Sequence, residues 1–209
     1  MKGKLSSHSS ESMRDKYGVS HDSYCYEGTD VLINKLNIRD AEELAHAEAE
    51  FTTLRYQGYR SNPLNITQYN FNHLKTLHHH LFQDLYTWAG EVRSIDISKG
   101  DTRFCTSSRI EAEALRLFSQ LPELTQIQNR QEMLEFLADS YCEINLLHPF
   151  REGNGRTQRF FYEEVMFALG YELTWPKLTQ EQWVEANVSG VHLNLSPLIN
   201  IFDQALRKL

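Results

Sequence analysis

The stretch of sequence that decides how this chain folds and functions lies at residues 148–159 and reads HPFREGNGRTQR. The segment before it has a helical pattern, because apolar residues recur on one face at spacings of three and four over residues 134–144. His148 is the next position on that face, and Pro149 discourages the helix from continuing. The pattern therefore predicts a helix that ends by delivering an imidazole into the interior of the protein.

After this histidine, a glycine-rich turn leads into a second helical pattern. Gly153, Asn154 and Gly155 expose backbone N–H groups with little side-chain bulk, and the helix dipole adds positive potential there. Arg156 and Arg159 are three positions apart, so both guanidinium groups lie on one side of the first helical turn. Cations are disfavoured at a helix N-terminus unless an anion is bound nearby. The combination predicts a polyphosphate site.

Two further groups complete a reactive constellation. Glu152 is a hard oxygen ligand suited to Mg²⁺ that bridges phosphate oxygens. Taken alone, His148 would be interpreted as a core histidine, but beside this loop it is a candidate general base. A base, a metal carboxylate, an anion cradle and two cations are the groups needed for phosphoryl or nucleotidyl transfer, which depends on positioning and charge stabilisation.

Residues 148–159 resemble a known family signature at every fixed position: the Fic motif, His-x-Phe-x-Asp/Glu-Gly-Asn-Gly-Arg-x-x-Arg. The resemblance extends to residues 81–90, LFQDLYTWAG, which are similar to a helix of Fic domains. Residues 97–104, ISKGDTRF, are similar to the Fic "flap" hairpin. The likeness runs from about residue 24 to the C-terminus.

The resemblance implies a protein adenylyltransferase, which moves AMP from ATP to a Tyr, Ser or Thr hydroxyl of a target protein. It implies His148 as the general base and Glu152 as the Mg²⁺ ligand. It also implies that the backbone of residues 153–155 cradles the α- and β-phosphates. The full set of nucleotide-binding residues that it implies is Lys99, Gly100, Arg151, Gly153, Asn154, Gly155, Arg156 and Arg159.

Other reactions remain open on the same scaffold. The second hypothesis is another transferase reaction on a Fic-type fold: phosphoryl transfer by a kinase, or transfer of UMP or phosphocholine. The third hypothesis is a non-catalytic module that only binds nucleotide or a partner protein. The intact sequence of residues 153–156 favours AMP transfer, because kinase variants of the superfamily have an altered anion loop.

The resemblance also predicts partners. A target protein would dock on the flap hairpin by main-chain pairing, and DNA gyrase or topoisomerase subunits are the targets that the family suggests. Fic enzymes are commonly inhibited by a helix with the pattern Ser/Thr-x-x-x-Glu-Gly/Asn, whose glutamate pairs with the position of Arg159. Residues 23–28, SYCYEG, fit this string but have no helical pattern. A separate small antitoxin is therefore the favoured inhibitor, as in stand-alone toxins of the family.

The periodicity predicts an all-α fold, a Fic-type helical bundle with one short β-hairpin flap beside the active site. A polar, Ser-rich stretch at residues 1–20 is interpreted as a flexible tail, and residues 21–209 as one domain. The hairpin is expected within residues 92–105. Helices are expected at residues 31–33, 41–56, 70–90, 108–121, 130–147, 155–169, 179–188 and 197–206.

Composition restricts the setting. The net charge of -7 makes the chain a poor general nucleic-acid binder. Three cysteines without CxxC spacing fit a reducing compartment, and no apolar run is long enough to span a bilayer. The expectation is a cytoplasmic bacterial protein with no direct nucleic-acid or membrane partner, or a protein secreted into a host cell if it is part of an effector.

Two polar stretches are expected to have structural rather than functional roles. Consecutive histidines at residues 78–80 point about 100° apart on a helix, so they are expected to be one buried and two surface residues rather than a metal site. The acidic stretch at residues 42–50 is expected to be a solvated helix face.

Overall fold

The computed structural model describes residues 22–209, so the predicted tail lies outside the described residues. The predicted all-α architecture is confirmed, since the described chain is built mainly from helices. The helices are α1 (Ala41–Gly58), α2 (Phe71–Phe82), α3 (Ile110–Phe118), α4 (Arg130–Leu147), α5 (Asn154–Ala168), α6 (Gln180–Val191) and α7 (Ser196–Ala205). Two antiparallel pairs of strands accompany them: β1 (Ser98–Lys99) with β2 (Thr102–Arg103), and β3 (Tyr171–Leu173) with β4 (Leu206–Lys208).

Polar caps set where several helices begin. The side chain of Asp40 accepts from the backbone of Glu43 at the start of α1, and Asn70 and Asn129 cap α2 and α4 in the same way. Each such cap satisfies backbone N–H groups that the helix itself leaves unpaired, a contribution of about 1 kcal/mol. The predicted starts of these helices follow from the caps.

Helices α4 and α5 occupy the centre of the bundle. Helix α5 packs against α2, α4 and β3, while α4 also packs against α7. Leu137 on α4, Phe161 and Val165 on α5, and Phe202 on α7 are fully buried. The loop between α4 and α5 therefore lies between two helices that pack in the core. None of the helices in residues 22–209 is both long and apolar enough to cross a membrane.

The predicted helix at residues 31–33 is wrong. Leu32 instead forms an antiparallel bridge with Cys25, and the backbone N–H of Ile33 donates to the carbonyl of Tyr24 at 2.8 Å. A short apolar run fits a strand as well as a helix, so periodicity alone did not distinguish the two. Gly28, at φ +74°, allows the turn between the paired residues.

The predicted helix at residues 70–90 ends early, at Phe82. The apolar stripe nevertheless continues into the turns that follow, where Leu85 is fully buried and Trp88 is 9% exposed. The apolar stripe therefore predicted the core residues correctly but overestimated the length of the helix. Gly90, at φ +85°, ends these turns.

The flap hairpin, defined here as residues 97–104, is present as predicted, with Ser98 opposite Arg103 and Lys99 opposite Thr102. A second small sheet, formed by β3 and β4, was not predicted. Its strands are joined by more than thirty residues, so no local turn signal marks their pairing.

Candidate active site

A cavity of about 510 Å³ lies among α1, the flap hairpin, α6 and the loop between α4 and α5. This size is typical of small-molecule sites. Its wall includes most of the predicted site residues: Lys99, His148, Glu152, Gly153, Asn154, Gly155, Arg156 and Arg159. Gly100 and Arg151 do not line it. The name anion loop is used below for residues 148–155.

His148 ends α4 in a left-handed conformation, with φ +42°, which turns the chain sharply after Leu147. Its Nδ1 lies 3.1 Å from the carbonyl oxygen of Asn145, and a carbonyl only accepts. Nδ1 therefore carries the proton and donates, which leaves the lone pair on Nε2. The imidazole stacks on Phe104 of the flap hairpin, with ring centroids 3.8 Å apart.

Burial lowers the pKa of His148 to about 3. The hydrogen bond to Asn145 and the charge of Glu152 oppose this shift, while the positive charges of Arg93 and Lys99 add to it. The imidazole is therefore neutral at neutral pH, which is the form that accepts a proton.

The anion loop presents the start of α5 to the cavity. Gly153 precedes the helix at φ +78° and has no side chain to cap it. The side chain of Asn154 turns back to Phe150, where Oδ1 accepts from the backbone nitrogen at 2.9 Å and Nδ2 donates to the carbonyl at 2.8 Å. Asn154 thus shapes the loop with its side chain, and the backbone N–H groups form the start of α5, where an anion is favoured.

Gly153 is required by packing as well as by backbone conformation. A Cβ atom at this position would lie 2.2 Å from Cζ of Phe82 on α2. The anion loop therefore rests directly on an aromatic ring of the core.

Arg156 and Arg159 both line the cavity, as the spacing predicted. Nη2 of Arg156 donates to Oε2 of Glu48 at 2.6 Å and lies 3.7 Å from Oε1 of Glu152. The guanidinium of Arg159 lies over the ring of Trp183 on α6, 4.9 Å from its centroid. Two guanidinium groups thus stand at the start of α5, each oriented by a neighbour.

The interpretation of residues 42–50 as a solvated face is wrong at Glu48. Its side chain is only 12% exposed and also accepts a hydrogen bond from the hydroxyl of Tyr86. Leu44 and Thr52 are buried on the same face of α1. This i, i+4, i+8 spacing was the sequence signal that Glu48 points inward.

Arg151 lies in the interior, away from the cavity. Its Nε and Nη2 lie 2.6 Å and 2.5 Å from Oδ2 of Asp22, and both side chains are almost completely buried. Arg151 therefore connects Asp22 to the anion loop.

Gly100 lies at the exposed tip of the flap hairpin, where φ is +55°. Of the predicted nucleotide-binding residues, Gly100 and Arg151 are the ones the structure places outside the cavity wall.

Arg93 supports the site from the interior, and sequence reasoning missed it. It is 2% exposed, and its Nε donates to the carbonyl of His148 at 2.8 Å. Its two terminal nitrogens donate to the carbonyls of Ile95 and Cys105, one on each side of the flap hairpin. Arg93 thus connects both ends of the flap hairpin to the candidate base. In the alternating pattern it shares a face with Ile95 and Ile97, which was the signal of an inward orientation.

Glu152 is placed to bind a cation together with phosphate. Its side chain is 13% exposed, lines the cavity, and accepts the backbone N–H of Gly153 at 2.9 Å. Mg²⁺ is commonly held by one or two carboxylates plus substrate phosphates, so this single carboxylate beside an anion site fits such an ion. Within residues 22–209 no group of three or more acidic, histidine or cysteine side chains forms a metal site made by protein alone.

The histidines at residues 78–80 behave as separate residues. His78 is fully buried, His79 is exposed and His80 is half-buried. Their ring nitrogens bond to three different carbonyl groups, those of Glu152, Ala89 and Arg55.

Residues 23–28 do not form a helix. They contain turns and one strand-like bridge at Cys25, and Glu27 is exposed. Glu27 is absent from the cavity wall that holds Arg159.

The helical bundle, the cavity and the uncapped start of α5 together define an all-α protein with a candidate anion site. The sequence profile of the Fic/DOC family matches residues 68–166. The chain is 40% identical over 196 residues to "Probable protein adenylyltransferase Fic" of Escherichia coli K12, an alignment that covers 93% of this chain and 96% of the relative. This chain belongs to the Fic/DOC family.

Other comparisons agree. The chain is 33% identical to "Protein adenylyltransferase VbhT" of Bartonella schoenbuchensis over 86% of this chain and 38% of that longer protein. The N-terminal Fic domain of a VirB-translocated Bep effector protein from Bartonella quintana, solved with bound ADP, superposes with a TM-score of 0.79. It is 26% identical and covers 88% of this chain and 94% of that one.

Proposed function

We propose that this chain transfers AMP from ATP to a hydroxyl group of a target protein. It is an enzyme of the nucleotidyltransferase class, a protein adenylyltransferase. The proposal depends on one arrangement in the cavity. His148, whose Nε2 carries a lone pair, lines the same cavity as the uncapped start of α5 and the side chains of Arg156 and Arg159. The relatives named as protein adenylyltransferases and the neighbour solved with ADP support the same activity and ligand.

In this proposal the phosphates of ATP bind at the start of α5. The backbone N–H groups of residues 153–155 receive the α- and β-phosphates, Arg156 the β- and γ-phosphates, and Arg159 the γ-phosphate. Lys99 contributes a positive charge from the flap hairpin. Glu152 would hold Mg²⁺, which supplies charge neutralisation between phosphate oxygens when bound.

The reaction then needs one proton transfer and one displacement. Nε2 of His148 takes the proton of the target hydroxyl, and the hydroxyl oxygen forms a bond to the α-phosphorus. The bond between the α-phosphorus and the oxygen that bridges to the β-phosphate breaks, and pyrophosphate leaves. The products are an AMP ester of the target and pyrophosphate.

The target would present a Tyr, Ser or Thr hydroxyl beside the flap hairpin. Lys99 and Thr102 of this hairpin line the cavity, so a segment paired with the hairpin would lie next to His148. DNA gyrase and topoisomerase subunits remain the suggested targets, on family resemblance alone. A bacterial cytoplasm, or a host cell reached by secretion, is the proposed setting.

Inhibition is proposed to come from a separate small antitoxin that presents a glutamate to Arg159. The position of Arg159 on the cavity wall and the exposed, non-helical position of Glu27 support this arrangement. Changing Glu27 to Gly is therefore expected to leave the transfer rate within about twofold of the unchanged protein, which is the scale of a surface substitution. A strong rise in activity of the Glu27→Gly variant would mean that residues 23–28 inhibit the enzyme.

The decisive experiment compares ATP labelled at the α-phosphate with ATP labelled at the γ-phosphate, each incubated with the protein and a bacterial lysate. Transfer of the α-label to a protein band, without the γ-label, is the expected result. His148→Ala should reduce labelling by about 10²- to 10⁴-fold, the usual contribution of a general base. His79→Ala, an exposed histidine outside the cavity, is the matched control and should label normally.

The alternatives give different results in the same assay. Transfer of the γ-label would indicate a kinase, and labelling by UTP or a phosphocholine donor but not by ATP would indicate the corresponding transferase. Nucleotide binding without any transfer, and without an effect of Glu152→Ala beyond affinity, would indicate a binding module.

A further inference from the structure

We propose that His78 is a positioning residue of the nucleotide site: it sets the plane of the Glu152–Gly153 peptide so that the N–H of Gly153 faces the cavity. The inference rests on the proposed function for the identity of the ligand. It concerns a residue on α2 that lies seventy positions before the motif in sequence.

The hydrogen bonds of His78 define one tautomer. Its Nδ1 lies 2.8 Å from the backbone nitrogen of Gly90, and a backbone N–H only donates, so Nδ1 accepts. The other ring nitrogen, Nε2, must then carry the proton. It donates to the carbonyl oxygen of Glu152 at 3.0 Å.

The hydrogen bond from His78 to the Glu152 carbonyl also determines the orientation of the Gly153 N–H. In a trans peptide the carbonyl of one residue and the N–H of the next point in opposite directions. A carbonyl of Glu152 that points into the core, toward His78, therefore turns the N–H of Gly153 outward. The N–H indeed meets the Glu152 carboxylate, which lines the cavity, at 2.9 Å.

The imidazole has little freedom to change this bond. It is fully buried and stacks on Phe150, with centroids 3.8 Å apart, and on Phe82, with centroids 4.7 Å apart. Phe82 in turn packs against Gly153, where there is no room for a Cβ. Residues 78 and 82, one helical turn apart on α2, thus form a platform beneath the anion loop.

The two hydrogen bonds of His78 leave no place for a second proton on the ring. A second proton on Nδ1 would face the N–H of Gly90, so the neutral tautomer is the only one that satisfies both neighbours.

Three substitutions separate the two hydrogen bonds. His78→Gln places an amide nitrogen near the position of Nε2 and keeps a donor for Glu152. His78→Asn places its amide near Nδ1, which keeps an acceptor for Gly90 but not the donor to Glu152. His78→Phe keeps the stacked ring and removes both bonds.

The readout is the dissociation constant of ATP, measured by calorimetry on folded protein, together with the rate of AMP transfer. We expect His78→Asn and His78→Phe to bind ATP roughly tenfold more weakly, the scale of one lost hydrogen bond at a charged ligand. His78→Gln should stay within about threefold of the unchanged protein. If His78→Phe fails to fold, the comparison of Asn with Gln decides.

A matched control removes a neighbouring bond of the same kind. Nδ1 of His79 bonds to the carbonyl of Ala89 at 2.9 Å, outside the anion loop. His79→Phe should lower stability slightly without changing the ATP dissociation constant. If it weakened ATP binding as much as His78→Phe, the effect would be general destabilisation and the proposal would be overturned.

Nuclear magnetic resonance keeps this test separate from that of the proposed function. The imidazole of His78 should show a proton on Nε2, and the amide signal of Gly153 should move in the Asn and Phe variants but not in Gln. These signals are expected even if the protein transfers no AMP. A proton on Nδ1, or an unmoved Gly153 signal in His78→Phe, would overturn the proposal.

Discussion

The anion loop and the flap hairpin line the same cavity, but different kinds of contact hold them. In the anion loop, the Asn154 side chain bonds twice to the backbone of Phe150, and His78 holds the Glu152 carbonyl from the core. These partners are buried or nearly so, and their hydrogen bonds constrain the conformation of the loop.

The flap hairpin has fewer constraints of its own. Two residue pairs form its ladder, and Ile97 and Phe104 form a small core cluster separate from the main one. The ion pair between its Arg103 and the preceding residue, Asp96, is largely exposed. The difference fits the proposed function, in which the well-packed loop would bind a nucleotide and the less constrained hairpin would receive a segment of the target protein. Arg93 joins the two.

The largest expected effect on stability comes from Arg93→Met, which removes that connection. Three carbonyl groups, those of Ile95, Cys105 and His148, would lose a charged donor inside the protein. The free energy of unfolding should fall by about 3 kcal/mol or more, as measured by urea denaturation. Arg103→Met, at an exposed arginine of the same hairpin, is the control and should change it far less. Equal losses would mean that Arg93 does not connect loop and hairpin.

A second prediction compares one glycine from each region. Gly153→Ala combines a strained backbone with a Cβ at 2.2 Å from Phe82, so it should lose about 2 kcal/mol or more of stability. Gly100→Ala at φ +55° meets no atom within 4 Å and should lose only about 1 kcal/mol. Thermal unfolding of both variants measures the difference. If Gly100→Ala were the more damaging of the two, the loop would not be the more tightly packed region.

A third prediction concerns pH and the contact between the two regions. The buried His148, with its pKa lowered to about 3, stays neutral from about pH 5 to pH 8, so its ionisation should not limit transfer there. Phe104→Ala uncovers the imidazole, and the pKa should rise toward its ordinary value near 6.5. In this variant, kcat/KM should then decrease toward acidic pH, because the imidazole becomes protonated. Identical acid limbs in both proteins would show that Phe104 does not control the base.

The smallest expected effect is that of Asp96→Asn, directly before the flap hairpin. The asparagine keeps an oxygen that accepts the N–H of Ser107, while the pair with Arg103 at 3.6 Å is lost. Because Arg103 is 74% exposed and Asp96 46% exposed, the change in unfolding free energy should be below about 0.5 kcal/mol. A larger loss in urea denaturation would show that charge, rather than packing, holds the hairpin.

Local features of the sequence were predicted well. The ends of α4 and the start of α5 follow from Asn129, Pro149 and Gly153, because caps, prolines and glycines act within a few residues. The side of α5 that carries Arg156 and Arg159 follows from helical periodicity alone.

The missing parts are contacts between residues far apart in sequence. Arg151 pairs with Asp22, and Arg156 pairs with Glu48, more than one hundred positions away in each case. Nothing near Arg151 in the sequence indicates that its side chain forms an ion pair with a buried carboxylate. Its assignment to the nucleotide came from its place in the motif, whereas the fold turns its side chain into the interior.

The most direct test of the account is a structure of the protein with a non-hydrolysable ATP analogue. The β- and γ-phosphates are expected at the start of α5, with Arg159 on the γ-phosphate and the α-phosphorus facing Nε2 of His148. A nucleotide bound in the opposite direction, with the γ-phosphorus toward His148, or one bound outside the cavity, would contradict adenylyl transfer by this site.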